Sequence, residues 1–235
     1  MTSSVGIVAS GITARGPEGP IFQGVDLEAE PGSLVAVTGP GGCGRTALLL
    51  ALAGRFRLVA GQLVVGGHQL PRRAAAVRRL VAVARARPAI DLDERLLVRE
   101  LVTERRLLSR QKATPAAVAA ALRLVAIDPS RGALAGALHP AERTLLALAL
   151  AVAEDPGAVV VDDVDDGLEP KDLPWVWRAL AAVAGSGRTV VASAGAPPPD
   201  PGQADVVVRL PHRSALQRAA AARAARVAGE RGGAP

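Results

Sequence analysis

The chain has 235 residues, enough for one large α/β domain with its own core or for two small domains. Hydrophobic residues make up 49% of it, which excludes an intrinsically disordered chain, and no apolar run reaches the ~20 residues of a membrane-spanning helix. The net charge of +6 comes almost entirely from arginine, and with aromatic residues at only 2% it does not predict nucleic-acid binding. Cys43 is the only cysteine, which excludes an internal disulfide. Because the N-terminus also shows no signal pattern, we expect a cytoplasmic protein.

The first third of the chain is predicted to be rich in β-strands. Short apolar stretches alternate with Gly/Pro turns from residue 5 to residue 37, which favours two or three strands before an apolar strand at 33–38. The segments predicted after residue 60 are a strand and turn over 62–67, a short helix over 71–80 and a short strand over 81–84.

The middle of the chain changes to a helical pattern, and the last third alternates again. Leucines recur among charged residues over 92–127, which predicts a helical insertion. Because continuous apolar strands then alternate with helices, we expect a mostly parallel sheet covered on both faces. The later helices are predicted at 139–153, 172–184 and 214–227, and the later strands at 158–161, 188–192 and 204–210.

A glycine-rich loop lies between the strand at 33–38 and a run of strong helix formers. Glycines allow backbone N–H groups to surround a phosphate, and the N-terminus of the following helix adds partial positive charge. The spacing fits G-x-x-x-x-G-K-[ST] at every fixed position except the lysine, so a nucleotide loop and a plain turn both remain open on this stretch alone. The eight residues of the loop are Gly39, Pro40, Gly41, Gly42, Cys43, Gly44, Arg45 and Thr46.

A phosphate loop needs a magnesium partner, and an acidic residue at the end of a buried strand supplies one in P-loop proteins. Asp162 follows the apolar strand 158–161, and Thr46 would supply the hydroxyl. A solvated acidic turn is the alternative for the run 162–166. A calcium loop is excluded, because its third position falls on Val164 and its closing acidic position on Leu173.

The segment 138–170, LHPAERTLLALALAVAEDPGAVVVDDVDDGLEP, resembles the signature helix, Walker B strand and D-loop of the ATP-binding cassette (ABC) family. The family reads approximately LSGGQ, then D-P, four apolar residues and D-E-P-T-S-G-L-D-P, and the alignment needs no gap. Together with 97–101 and the start of the chain, the resemblance covers nearly all of residues 5–210. It implies an α/β P-loop NTPase fold with a mostly parallel core sheet, an N-terminal antiparallel part and a helical subdomain at about 90–157, within a nucleotide-binding domain 1–212. An Ala/Arg-rich tail, 213–235, follows it.

The resemblance also implies a function and a set of site residues. The chain is similar to ATP-binding subunits that use ATP and Mg²⁺, work in pairs, and dock on an integral membrane permease at the inner face of the cell membrane. The resemblance assigns nucleotide binding to residues 39–46, magnesium binding to Thr46 and Asp162, and catalysis to Asp163. The signature positions fall on Leu138, His139, Pro140, Ala141 and Glu142.

Six features of the family pattern are changed, with the signature 139–142 counted as one. Arg45 replaces the lysine of the loop and is bulkier and planar. Asp163 replaces the catalytic glutamate and is one methylene shorter; a displacement of about 1 Å can cost on the order of 10²-fold in rate. Pro140 lacks an N–H and Ala141 adds a side chain in the signature. The remaining departures are Arg85 at the Q-loop position, Gly195 at the switch-histidine position, and Arg15 near the position of the adenine-stacking aromatic residue.

Three functional hypotheses follow. The first is a transport ATPase subunit that hydrolyses slowly through Thr46, Asp162 and Asp163, and the second is a non-hydrolytic regulatory cassette paired with a competent subunit. The third, a cassette acting on nucleic acid, is weakest because the chain lacks a long coiled-coil insertion and an aromatic-rich basic surface.

At the helix N-terminus, Cys43 is expected to have a lowered thiol pKa, so that alkylation would block nucleotide binding. The alternative is that Cys43 simply replaces a small residue.

Overall fold

The computed structural model describes residues 4–216 and 218. Its strands and helices follow one another in a mixed order, with three successive α-helices in the middle of the chain. The strands are β1 (Ile7–Gly16), β2 (Gly19–Ala29), β3 (Leu34–Thr38), β4 (Ala60–Val65), β5 (His68–Leu70), β6 (Val81–Arg85), β7 (Ala158–Val161), β8 (Thr189–Ala194) and β9 (Val206–Arg209). The helices are α1 (Arg45–Leu52), α2 (Ala74–Leu80), α3 (Val98–Leu108), α4 (Pro115–Leu124), α5 (Pro140–Val152) and α6 (Leu173–Gly185).

The strands form two sheets of different type. One has five parallel strands in the order β6-β7-β8-β3-β9, and the other has four antiparallel strands in the order β2-β1-β4-β5. In the parallel sheet Val161 pairs with both Arg85 and Ala192, so the carboxyl ends of β6, β7 and β8 meet at one edge. Loops that leave this edge are the usual place for a ligand in such a sheet.

The parallel sheet separates two hydrophobic cores, because successive side chains of a strand point to opposite faces. In β3, Leu34 and Ala36 join the core formed with α3 to α6, whereas Val35 and Val37 join the core formed with α1 and the antiparallel sheet. Both faces of the sheet are therefore largely buried, which explains why its strands are apolar at most positions.

The expected fold class is confirmed: a parallel core sheet, an antiparallel N-terminal part and inserted helices are all present. Two details differ from the sequence prediction. The first apolar stretch is the start of a long hairpin, β1–β2, and a short strand, β5, follows the Gly66–Gly67 turn. Most of the predicted helix 214–227 and of the tail 213–235 lies outside the described residues. In the part of the chain that the structure describes, no helix is long and apolar enough to cross a membrane.

The largest fully buried side chain among the described residues is Trp177 on α6, in the core on the helical side of the sheet. Trp177→Ala is expected to lower the free energy of unfolding by about 3–5 kcal/mol, because it leaves a cavity that the packed helices cannot close. Urea unfolding followed by circular dichroism measures the change. Trp175→Ala, at a partly buried position of the same helix, is the matched control and should cost less; an equal cost would contradict the assignment of Trp177 to the core.

Candidate functional site

The glycine loop connects the carboxyl end of β3 to the N-terminus of α1. Gly44 has φ +98°, and a Cβ there would lie 2.8 Å from the carbonyl oxygen of Ile21. A Cβ on Gly39 would lie 2.6 Å from the carbonyl oxygen of Leu210. Helix α1 has no side-chain cap and no acidic residue in its first turn, so its first N–H groups face the loop and are suited to an anion.

A chain of hydrogen bonds joins the loop to the end of β7. Thr46 Oγ1 donates to Asp162 Oδ2 at 2.6 Å, and Ser193 Oγ donates to Asp162 Oδ1 at 2.5 Å. Asp162 is only 2% exposed, and burial raises its pKa above the ordinary value although the bonds from Ser193 and Thr46 act in the opposite direction. The structure therefore places a hydroxyl and a carboxylate side by side beneath the loop.

These residues fit a magnesium ion held together with a nucleotide. Hydroxyl and carboxylate oxygens are the ligands that Mg²⁺ prefers, and Mg²⁺ in such sites takes only one or two protein ligands beside phosphate and water. The oxygens of Thr46 and Asp162 lie 2.6 Å apart and belong to the loop and to the strand end, as the sequence pattern requires. The open N–H groups of α1 fit the phosphates.

Arg45 and Asp163, the two residues that replace the family's lysine and glutamate, form an ion pair. Arg45 Nη2 donates to Asp163 Oδ1 at 2.6 Å, and Arg45 Nη1 donates to the carbonyl oxygen of Gly39. Burial acts to lower the pKa of Arg45, but the hydrogen bond and negative charge of Asp163 outweigh it and raise the pKa above the ordinary value. Asp163 has φ +45°, a left-handed conformation that aspartate tolerates better than most residues. The sequence indicated two separate changes, and the structure brings them into contact.

Arg85 at the end of β6 is 3% exposed and contacts four partners, one of which is Asp91, whose Oδ2 lies 3.8 Å from the Nε of Arg85. Its Nη2 lies 2.7 Å from Asp166 Oδ2, and its Nη1 donates to Thr144 Oγ1 at 3.0 Å and to the carbonyl oxygen of Asp163 at 3.4 Å. Arg87 contacts Asp166 as well, at 2.6 Å, and also pairs with Asp91. The acidic turn that sequence alone could describe as solvated is thus held by two arginines from the β6 end.

At the signature position, α5 begins at Pro140 with His139 as its N-cap. His139 Nδ1 accepts a hydrogen bond from the N–H of Ala141 at 3.3 Å, and its Nε2 lies 3.5 Å from Asp172 Oδ2. Leu138 packs against the core, and Glu142 is the acidic residue of the first turn. One helix N–H is therefore used by His139 and another is absent at Pro140, which leaves this terminus fewer donors for a phosphate.

The surroundings of the two remaining substituted positions, Gly195 and Arg15, are as follows. The N–H of Gly195 donates to Asp165 Oδ2 at 2.8 Å, and Arg15 is exposed on β1.

The expectation of a lowered pKa for Cys43 is wrong: the thiol is 1% exposed, and burial raises its pKa despite the nearby Arg45. Cys43 instead packs in the core beneath the loop, with its sulfur close to Gly39. A buried thiol with a raised pKa is a poor target for alkylation, so alkylation of Cys43 is no longer expected to block nucleotide binding.

Ser193 was missed as a site residue by the sequence reasoning. Besides donating to Asp162, its hydroxyl accepts the N–H of Asp163 at 2.8 Å, so it fixes both acidic residues. A polar residue at the carboxyl end of the apolar strand β8 was the available signal, but it has meaning only once β8 is known to lie beside β7.

Comparison with known proteins matches residues 22–165 to the family model described as ABC transporter. Nod factor export ATP-binding protein I of Burkholderia pseudomallei is 30% identical over 174 residues, which are 73% of this chain and 56% of that protein. The protein of the same name from Mesorhizobium japonicum is 26% identical over 192 residues, 80% of this chain and 56% of its own length. The chain thus spans little more than half the length of these relatives.

Solved structures share the fold at low sequence identity. A nucleotide-free ATP-binding cassette from an ABC transporter superposes with a TM-score of 0.72 at 14% identity, covering 88% of both chains. A bacterial Atm1-family ABC exporter with ATP bound gives a TM-score of 0.68 at 19% identity, covering 93% of this chain and 40% of the exporter chain.

Asp162 offers a test of the site's electrostatics. Because the folded-state pKa of Asp162 is raised, ionisation of its carboxyl group opposes folding. The protonated carboxyl group contributes its full stability below the ordinary unfolded-state pKa of about 3.9, and this contribution is lost as the pH rises through the folded-state pKa. Asp162→Asn is therefore expected to stabilise the fold by on the order of 1 kcal/mol at pH 8, and by less near pH 4.

Urea unfolding of both chains at the two pH values measures the difference. Asp128→Asn, at a position on the surface away from the loop, is the control and should leave stability unchanged at both. Destabilisation by Asp162→Asn at pH 8 would show that the two hydroxyl hydrogen bonds outweigh the cost of burying the charge.

Proposed function

This chain belongs to the ABC transporter family, and we propose that it is an ATP-binding subunit that couples ATP binding and slow hydrolysis to a membrane permease. The observation that carries the proposal is the contact of Thr46 with the buried carboxylate of Asp162 beneath the glycine loop. Members of the family bind ATP, and the relatives above are named for export, which supports a role in transport.

Each part of the loop has a definite task in this proposal. The N–H groups of the loop 39–46, apart from Pro40, which has none, bind the phosphates together with the N-terminus of α1, and Arg45 supplies the positive charge. Thr46 and Asp162 hold Mg²⁺, which when bound neutralises charge on the phosphate oxygens. Asp163 is the residue that accepts a proton from the attacking water. Ser193 keeps both carboxylates in position through its two hydrogen bonds.

The proposed partners are a permease subunit and a second nucleotide-binding subunit, either a copy of this chain or a different one. In such a pair the residues 138–142 of one subunit face the nucleotide of the other. The proposal places the protein in the cytoplasm, peripherally on the inner face of the membrane, and assigns it no nucleic acid. The division at residue 212 and the helical subdomain at about 90–157 remain part of the proposal.

A second function, a non-hydrolytic regulatory cassette, is favoured by particular contacts. His139 occupies the N–H of Ala141, and Pro140 has none to offer, so the signature terminus is poor in donors. Arg85 is tied to Asp166 and Thr144 and is not available to position a water. In this case the partner subunit would carry the competent site.

Magnesium-dependent binding tests the first part of the proposal. We expect ATP to bind more tightly with Mg²⁺ than with EDTA, and Thr46→Ala to remove about ten-fold of that gain, equivalent to about 1.4 kcal/mol, because it removes one of the two protein oxygens. Isothermal titration calorimetry gives the dissociation constants. Thr103→Ala on α3, whose hydroxyl bonds only within its own helix, is the control and should bind as the unmodified chain does. Equal affinity with and without Mg²⁺ in the unmodified chain would contradict the site.

Phosphate release separates hydrolysis from regulation. The purified chain is expected to release phosphate slowly in a vanadate-sensitive manner, and Asp163→Ala to lower the rate at least about ten-fold, since it removes the proton acceptor. Asp165→Ala, in the same turn, removes an equal charge and should retain most of the rate. Equal release by the unmodified chain and Asp163→Ala would rule out hydrolysis through Asp163 and leave the regulatory cassette.

A further inference from the structure

Two of the three guanidinium nitrogens of Arg45 are already hydrogen-bonded within the protein. One nitrogen donates to the carbonyl oxygen of Gly39 and the other to Asp163 Oδ1 at 2.6 Å, so the side chain bridges the start of the loop and the turn after β7. Its exposed fraction is only 13%. A phosphate that enters the loop would compete with Asp163 for Nη2, because a guanidinium binds carboxylate and phosphate through the same kind of N–H donor.

Asp163 is held so that its carboxylate stays on Arg45. Its N–H donates to Ser193 Oγ at 2.8 Å, and its carbonyl oxygen accepts from the buried Arg85 at 3.4 Å. The turn is fastened again at Asp166, which Arg85 and Arg87 both contact. The backbone of Asp163 is therefore held on both sides, which keeps its carboxylate within reach of Arg45.

The two residues also match each other in length. Aspartate is one methylene shorter than glutamate, whereas arginine is longer than lysine and carries several donors on one plane. Arg45 can therefore contact Gly39 and Asp163 together, which a single ammonium group would do less well. The two departures from the family pattern form one interacting unit.

We propose that Asp163 competes with nucleotide phosphates for Arg45, so that this ion pair sets the affinity of the loop for nucleotide. Nucleotide binding then requires the guanidinium of Arg45 to exchange the carboxylate of Asp163 for a phosphate. In the chain without nucleotide, Asp163 takes the position of that phosphate as the partner of Arg45. The proposal rests on the proposed function, in that the loop must bind nucleotide. It gives Asp163 a role that is separate from any part in hydrolysis.

A double-mutant cycle with ADP tests the competition, because ADP has no γ-phosphate to be hydrolysed. Binding is measured in EDTA, so that any effect of Asp163 on magnesium does not enter. Asp163→Asn is expected to tighten ADP binding by about five-fold when Arg45 is present, and by less than about two-fold in the Arg45→Met background, where only long-range repulsion is relieved. Titration calorimetry on the four chains gives the coupling between the two positions.

Asp165→Asn is the matched control, because Asp165 lies in the same turn and acts on Arg45 through its charge without contacting it. It should change ADP affinity by less than about two-fold. Asp163→Ser serves as a second variant if Asp163→Asn fails to fold, and circular dichroism checks each chain. Equal gains in the Arg45 and Arg45→Met backgrounds, or weaker binding by Asp163→Asn, would overturn the competition. Absence of ADP binding by all four chains would instead remove the proposed function, and the competition with it.

Discussion

The buried carboxylate of Asp162 is the feature on which the rest of the site depends. It lies at the end of β7, where the surrounding strands leave almost no access to water, and two hydroxyl groups supply the hydrogen bonds that water would otherwise provide. Burying an ionised carboxylate is unfavourable, and these hydrogen bonds offset part of the cost. Thr46 from the loop and Ser193 from β8 both donate a hydrogen bond to Asp162, and these bonds hold the loop, β7 and β8 relative to one another. The buried carboxylate of Asp162 is less costly with a cation bound beside it than in the free chain, since the positive charge of the cation would offset the cost of burying the negative charge.

Around this carboxylate, positive and negative charges alternate across the edge of the sheet. Arg45 pairs with Asp163, and Arg85 with Asp166. Both arginines stand where the family pattern has another residue, and each is matched by an aspartate in the turn that follows β7. Each arginine thus has an acidic partner within the described structure.

Much of this arrangement could be predicted from the sequence, because the relevant signals are local. The glycine spacing of the loop, the apolar run before Asp162 and the Pro at the start of α5 each specify a backbone conformation over a few residues. The resemblance to the family then fixed the order of these parts along the chain. The pKa of Cys43 could not be predicted in this way: the helix N-terminus is a local signal, but the burial that reverses its effect comes from Gly39, Leu210 and the core around them.

The sequence by itself determined the fold class, the loop, the strand that ends in Asp162 and the positions that depart from the family. Only the tertiary structure decided what those departures do. It paired Arg45 with Asp163 across 118 residues of chain and Arg85 with Asp166 across 81, and it placed Ser193 between the two acidic residues. The reason is physical: a parallel sheet brings the ends of strands that are distant in sequence to one edge, and charges placed there meet partners that no local pattern can identify.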